Sequence, residues 1–401
     1  MDAFFVKTYE YEHPYFLRLW CSSTFEGSSL LLTFDGVKIR LINFLAHQTI
    51  KEVDFLNHQS LSYVTSIYHP GYPSKAIFLF VRDRRNIWAY DDQLANIPSL
   101  SIDTSLIILA MVWSQQKQIL YISGNFGWMR ALKIKVTTSI SGSICEWVPI
   151  WTKHESGQWM QHLALDEPRG YLFGASGIDV FVWSLLDGQL LLQYDSKHTH
   201  AITSLRYSSD HLLLFTASSD GTIKIWRIFD RKPDLIRTLK QVDLGPMLLE
   251  IDSSTIISMS CERIIRRYNM INGSILGSLD LEPSVSLDSK NIDSPLQLNI
   301  GYTENIHGKH EWLFESEGFK VSVFEAHYAP RELAICCDIV SHVVVDPQST
   351  VYAVCRNGVL HVLHTDASEQ RTIDLDTIPL TNDPDHVLNP SNILHVAYSN
   401  G

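Results

Sequence analysis

The sequence predicts an all-β protein assembled from many short antiparallel strands, and three observations carry that expectation. Short apolar runs recur along the chain, among them Val64–His69, Ile77–Val81, Ile202–Ser208, Leu212–Ala217, Ile256–Ser260 and Val351–Cys355. Each is rich in β-branched, aromatic and leucine side chains, and Asp, Asn, Ser, Gly or Pro fills the stretches between them, as expected for strands joined by turns. The i, i+3, i+4, i+7 spacing of an amphipathic helix is sustained nowhere over ten residues. The third observation is a repeat.

A turn-forming position followed six residues later by a bulky apolar one recurs at Asp35, Arg84, Phe126, Gly177, Asp220, Glu262, Glu317 and Asn357. The mean interval is about 46 residues, near the length of a four-stranded repeat unit. The bulky partners are Leu41, Tyr90, Leu132, Trp183, Trp226, Tyr268, Val323 and Leu363. Glycine follows the anchor at Gly36, Gly127, Gly221, Gly318 and Gly358, where a tight turn with positive φ leaves no room for a Cβ.

The clearest unit runs from His200 to Trp226. His200 precedes the first strand, Asp220-Gly221 makes the turn between the second and third, and Trp226 ends the motif. This unit resembles a WD repeat, although Arg227 stands where the family has its Asp. Gln158–Tyr194 and Gly245–Leu281 match less fully. The resemblance implies a seven- or eight-bladed WD-repeat β-propeller of four-stranded antiparallel blades, placed at about 14–57, 62–104, 106–154, 158–197, 200–242, 244–281, 296–338 and 340–376. Glu282–Leu296 and Asp376–Asn392 read as long loops. Residues 377–401 hold a loop and then a strand, Ile393–Ser399, which either closes the ring with Phe4–Tyr11 or begins a further blade.

The resemblance also implies a hydrogen-bonded tetrad of His200, Thr216, Asp220 and Trp226, with a partial counterpart at Ser258, Glu262 and Tyr268. A His, a hydroxyl and a carboxylate satisfy one another, and the indole N–H supplies the end donor. The same residue types could make a nucleophilic triad, but that needs an exposed hydroxyl and an oxyanion hole, and no motif supplies either. No phosphate-binding glycine loop, nucleophile elbow or zinc-protease motif occurs. The His pairs lack partner thiols or carboxylates, and Cys336 and Cys337 would point to opposite faces of a strand. The expectation is a non-enzyme with no cofactor, no metal and no small-molecule substrate.

Composition narrows the partners. Over 401 residues, 32 Lys and Arg against 44 Asp and Glu give a net charge of −12. That argues against direct nucleic-acid binding and against an anionic membrane surface, which need clustered cations. Arg266-Arg267 resembles the paired arginines of phosphoinositide-binding propellers, but lies in a strand. With 45% hydrophobic, 11% aromatic and 19% charged residues, the chain has the composition of a folded domain. Six cysteines without a C-x-x-C pair, and no secretory leader, point to an intracellular setting, cytoplasmic rather than nuclear.

One surface candidate remains. Glu146–His162 holds Trp147, Trp151 and Trp159 together with His154. Trp147 and Trp151 read as packed residues of an outer strand, and His154 and Trp159 as loop residues able to anchor a partner. The expected role is a non-enzymatic interaction scaffold for partner proteins in a multiprotein complex. The alternatives are an accessory subunit of an RNA-modification or ubiquitin-ligase complex, and a component of a larger tandem-propeller ciliary or transport protein.

Overall fold

The computed structural model describes the backbone of most of residues 5–374, apart from several turns and the segments 13–17, 21–29, 241–247, 282–296 and 327–339, and describes side chains chiefly over 38–281. The described chain is all-β, with 3-10 turns at Pro98–Leu100 and Asn125–Gly127. The described strands form eight four-stranded antiparallel sheets. In chain order, β1 is Phe5–Glu12, and β2–β5 are Arg18–Trp20, Leu30–Phe34, Lys38–Asn43 and Gln48–Asp54. β6–β9 are Leu61–Ile67, Ile77–Arg82, Asn86–Asp91 and Ile102–Asp103. β10–β13 are Ile108–Ser114, Ile119–Gly124, Trp128–Ser139 and Gly142–His154. β14–β17 are His162–Asp166, Tyr171–Ser176, Asp179–Ser184 and Leu190–Asp195. β18–β21 are Ile202–Ser208, Leu213–Ser218, Thr222–Phe229 and Lys232–Lys240. β22–β25 are Leu248–Ile251, Thr255–Met259, Ile264–Asn269 and Ile275–Asp280. β26–β28 are Gln297–Asn305, Gly308–Glu317 and Lys320–Ala326, and β29–β32 are Val340–Val345, Thr350–Cys355, Val359–His364 and Gln370–Asp374.

Each sheet is a run of consecutive strands with one exception: the sheet of β26, β27 and β28 takes β1 as its fourth strand. Tyr9 stands opposite Val323, and Glu12 opposite Lys320. The fourth strand of the unit expected at 296–338 therefore comes from the start of the chain. Residues 377–401, the expected loops and the Ile393–Ser399 strand lie outside the described residues. The chain divides into two compact units, Met1–His327 and Tyr328–Gly401, so the β29–β32 sheet belongs to the second.

Within the first unit the leading strands of successive sheets lie side by side: β6 against β10, β10 against β14, β14 against β18, β18 against β22, and β22 against β26. β2 lies against β26 and β27. Apolar layers fill the spaces between sheets. Leu32, Ile39 and Leu41 meet Phe78, Phe80 and Tyr90; Leu79 and Val81 meet Leu120 and Leu132; Tyr121 and Met129 meet Leu172 and Trp183. Phe173 and Val182 meet Leu205 and Trp226, and Phe215 and Ile225 meet Ile256 and Tyr268. A sheet packed on both faces has apolar residues at successive positions, as in Ile77–Val81, instead of strict alternation. Burial at roughly 25 cal/mol per Å² makes these layers the main stabilising term.

A bulge recurs at the bulky residue of the sequence repeat. The pairing of third and fourth strands slips by one residue next to Leu41, Leu132, Trp183, Trp226 and Tyr268. An extra residue in the outer strand increases the local twist there. The sequence interval thus marks one repeated backbone feature.

Candidate interaction site

The β18–β21 sheet holds a polar network. His198 Nδ1–H donates to Asp220 Oδ2 at 3.0 Å, and His198 Nε2 meets Thr216 Oγ1 at 2.9 Å. Trp226 Nε1–H donates to the same hydroxyl at 3.1 Å. Thr222 Oγ1 donates to Asp220 Oδ1 at 2.6 Å, and the Thr199 N–H reaches Asp220 Oδ2 at 2.9 Å. The histidine is His198, not the expected His200. His200 is exposed, and its Nδ1 meets only the neighbouring Thr199 Oγ1 at 3.1 Å. The chain turns at Ser196–Ala201, so the residue two positions earlier points inward while His200 points to solvent.

Burial pushes the His198 imidazole below its ordinary pKa, outweighing the carboxylate beside it. Burial opposes the Asp220 charge, but the hydrogen bonds from Thr222, Thr199 and His198 win and hold its pKa down at about 2. A neutral imidazole and an ionised carboxylate fix the proton order: indole N–H to hydroxyl, hydroxyl to Nε2, and Nδ1–H to carboxylate. Thr216, His198 and Asp220 therefore follow the order of a nucleophilic triad. Thr216 is fully buried and its oxygen accepts the Trp226 N–H, so no substrate carbonyl can reach it.

The next sheet keeps the same frame. Tyr268 stands opposite Ile256 as Trp226 stands opposite Leu214, and Ser258 takes the place of Thr216. Ser258 and Tyr268 are both buried, and Glu262 lies outside the described residues. Arg267 is buried between sheets, with Nε–H donating to Thr255 Oγ1 at 3.1 Å, which removes it from any lipid-facing role. Arginine-centred contacts tie adjacent sheets. Arg206 grips Glu250 through Nε at 3.2 Å and Nη2 at 2.5 Å. Arg169 holds buried Asp166 and donates to Ile228 O at 2.6 Å and Tyr207 OH at 2.8 Å. Neither pair has a spacing that a sequence motif would reveal.

At the end of the sheets that carries the repeat turns, backbone hydrogen bonds link one sheet to the next. Ile108 N–H donates to Arg84 O, Gly127 N–H to Gln158 O, and Ile202 N–H to Gly177 O; within a sheet, Asn125 N–H donates to Ile107 O and Ser219 N–H to Ala201 O. Two aromatic rings stand out from this frame. Phe126 is 61% exposed and Trp159 is 44% exposed. They meet edge to face, with ring centres 6.1 Å apart. Both are pinned on either side: Asn125 to Ile107, Gly127 to Gln158, and Met160 O to Ser123 Oγ at 2.9 Å. His154 ends β13 at this same end, opposite Trp128, and is exposed. Trp151 is buried with its N–H on Leu185 O at 3.3 Å, and half-buried Trp147 donates to Leu100 O at 2.7 Å.

The described residues contain no group of three or more His, Cys, Asp and Glu that could hold a metal ion. No helix among them is long and apolar enough to cross a membrane. Cys145 is a buried free thiol, and burial raises its pKa.

Four-stranded sheets repeated at about 46 residues, one with a buried His–Thr–Asp–Trp network, define a β-sheet repeat protein. A family model described as WD domain, G-beta repeat matches residues 188–227. The chain is 28% identical over 166 residues to Protein ROOT INITIATION DEFECTIVE 3 of Arabidopsis thaliana, covering 36% of this chain and 37% of that protein. It is 29% identical over 126 residues to Periodic tryptophan protein 2 of Saccharomyces cerevisiae, covering 31% and 13%. It is also 29% identical over 72 residues to WD repeat domain-containing protein 83 homolog of Dictyostelium discoideum, covering 18% and 22%. The matches thus span well under half the length of these relatives. The chain thus carries a WD repeat at residues 188–227 and is similar over part of its length to WD-repeat proteins, which typically serve as scaffolds for protein interactions and are generally non-catalytic.

Proposed function

We propose that this protein is a non-enzymatic scaffold in a multiprotein complex, and that it presents the turn-bearing end of its sheets to partner proteins. The exposed Phe126–Trp159 pair carries the reading. Two large rings held out from a hydrogen-bonded frame lose little freedom on binding and bury much area. Trp159 and His154 are the partner-contacting residues of this proposal. An intracellular setting belongs to it too, and imaging of a tagged chain decides between cytoplasm and nucleus. The test is co-purification at near-native expression, with mass spectrometry of what remains bound. The double variant Trp159→Ala, His154→Ala should lose at least one partner that the native chain retains. Recovery of no specific partner by the native chain would sink the scaffold reading.

The framework proposed for this role is a seven-bladed propeller within residues 1–327, with β1 closing the last blade. The β1–β28 pairing and the contact of β2 with β26 support it. Cysteines placed at Tyr9 and Val323, which face each other across the pair, should form an oxidised cross-link that changes migration on a denaturing gel. Absence of that cross-link would remove the closure.

A further inference from the structure

The turn tips hold residues that the fold does not ask for. Phe126 has φ 55° and ψ 32°, the left-handed conformation in which a Cβ is strained and which Gly or Asn would occupy with less cost. Its ring, 61% exposed, returns little buried area for that strain. Strain kept at an exposed aromatic points to a use for the ring outside the fold. One sheet earlier, Arg84 repeats the pattern, exposed and at φ 57°. The frame joins the two turns, since Ile108 N–H bonds Arg84 O while Ile107 O accepts from Asn125.

Charge at this end is unevenly committed. Asp83 pairs with Arg82 at 3.4 Å, Asp195 with Lys197 at 3.2 Å, Asp179 accepts from Gln193 at 3.3 Å, and Asp220 is held in the buried network. Asp103 sits on the edge strand β9. Exposed Arg84 and Arg85 make no side-chain ion pair among the described residues. On a chain of net charge −12, Arg84 and Arg85, without an ion pair among the described residues, form a local exception one sheet away from the aromatic pair. Ile178, 38% exposed, extends the apolar ground on the far side, where Gln158 Oε1 accepts from Ser176.

We infer that this end binds an acidic peptide segment: an aromatic or aliphatic side chain seats against Phe126 and Trp159, and flanking carboxylates pair with Arg84 and Arg85. Arginine presents a fork that matches a carboxylate with two parallel hydrogen bonds. The inference rests on the scaffold reading and gives its partner a chemistry.

The probe is a fluorescent library of 12-residue peptides with Glu and Asp at varied positions around a central Phe or Leu. Two controls accompany it: the same library with Lys in place of the acids, and a single-stranded oligonucleotide. Anisotropy with the full chain should show salt-sensitive binding of the acidic library, and at least tenfold weaker binding of the Lys library. Arg84→Glu with Arg85→Glu should weaken it tenfold or more. Phe126→Asn should do the same while leaving Tm unchanged or raised, because Asn relieves the left-handed strain; a role in the fold alone would lower Tm. No binding of the acidic library, equal binding of the Lys library, or binding of the oligonucleotide in its place would each overturn the inference. If the Phe126→Asn and Arg variants still co-purify with every native partner, the acidic-peptide surface falls while the scaffold reading stands.

Discussion

The β14–β17 and β18–β21 sheets share one register and fill it with different chemistry. Trp183 stands opposite Leu172 just as Trp226 stands opposite Leu214, and both indoles lie at the bulge before the fourth strand. Two residues further along the second strand, one sheet has Gly174 and the other Thr216. The Thr216 hydroxyl accepts the Trp226 N–H and links it to His198. Gly174 leaves the space to the Trp183 ring, which stacks on Phe181 at 5.6 Å and 12°, and the Trp183 N–H finds no acceptor among the described residues. The turns differ to match: only Gly177 and Ile178 separate the paired residues Ser176 and Asp179, so no carboxylate stands where Asp220 does. The network is therefore one of two ways to fill the position. Bulge and apolar layer are common to both sheets.

The largest expected effect falls on the polar sheet. His198→Ala leaves Asp220 and Thr216 buried without their partner, and should cost about 2–4 kcal/mol in denaturant unfolding. His200→Ala, on the exposed residue beside it, should stay within about 0.5 kcal/mol. If the two variants lose equal stability, the network does not hold the sheet. Next in size is Gly174→Ala in the apolar sheet. A Cβ there would lie 2.7 Å from the Trp183 ring, and displacing a stacked indole should cost about 1–3 kcal/mol. A neutral result would mean that the indole shifts freely. The smallest and sharpest contrast is Trp→Phe in each sheet. Both variants lose comparable area, but only Trp226 loses a hydrogen bond, so W226F should be less stable than W183F by about 1 kcal/mol. Equal thermal midpoints would remove the distinction between the sheets.

Much of the architecture was legible because its repeat is written in apolar residues. Leu41, Tyr90, Leu132, Trp183, Trp226 and Tyr268, six residues after each proposed anchor, are all buried. Arg84, Phe126 and Gly177 all lie in the turn before the third strand. The choice of His200 went wrong because two histidines stand two residues apart and only the bend at Ser196–Ala201 selects between them. The sheet made from β1 and β26–β28 was illegible for a different reason. Strand pairing across the whole unit leaves no local spacing to read, so the unit was expected within 296–338 and Phe4–Tyr11 only as a possible partner of Ile393–Ser399. At the candidate site, Trp159 and His154 could be picked out as Trp and His in a connection. Phe126 entered only as a turn anchor, since its exposure depends on a left-handed φ that a bulky residue rarely adopts.

The pairing of β1 with β28 also sets an order of events during synthesis. Phe5–Glu12 leaves the ribosome roughly 300 residues before Lys320–Ala326, which at about 5–20 residues per second is a wait of tens of seconds. Throughout it, β1 has no partner, and it remains an unpaired strand able to join other chains. Its last contact is also its most distant in sequence, the kind that forms slowly because a long loop must close first. The newly made chain is thus most exposed to misassembly just before its two distant strands meet, and a holdase that covers a lone β-strand would act on this protein at β1.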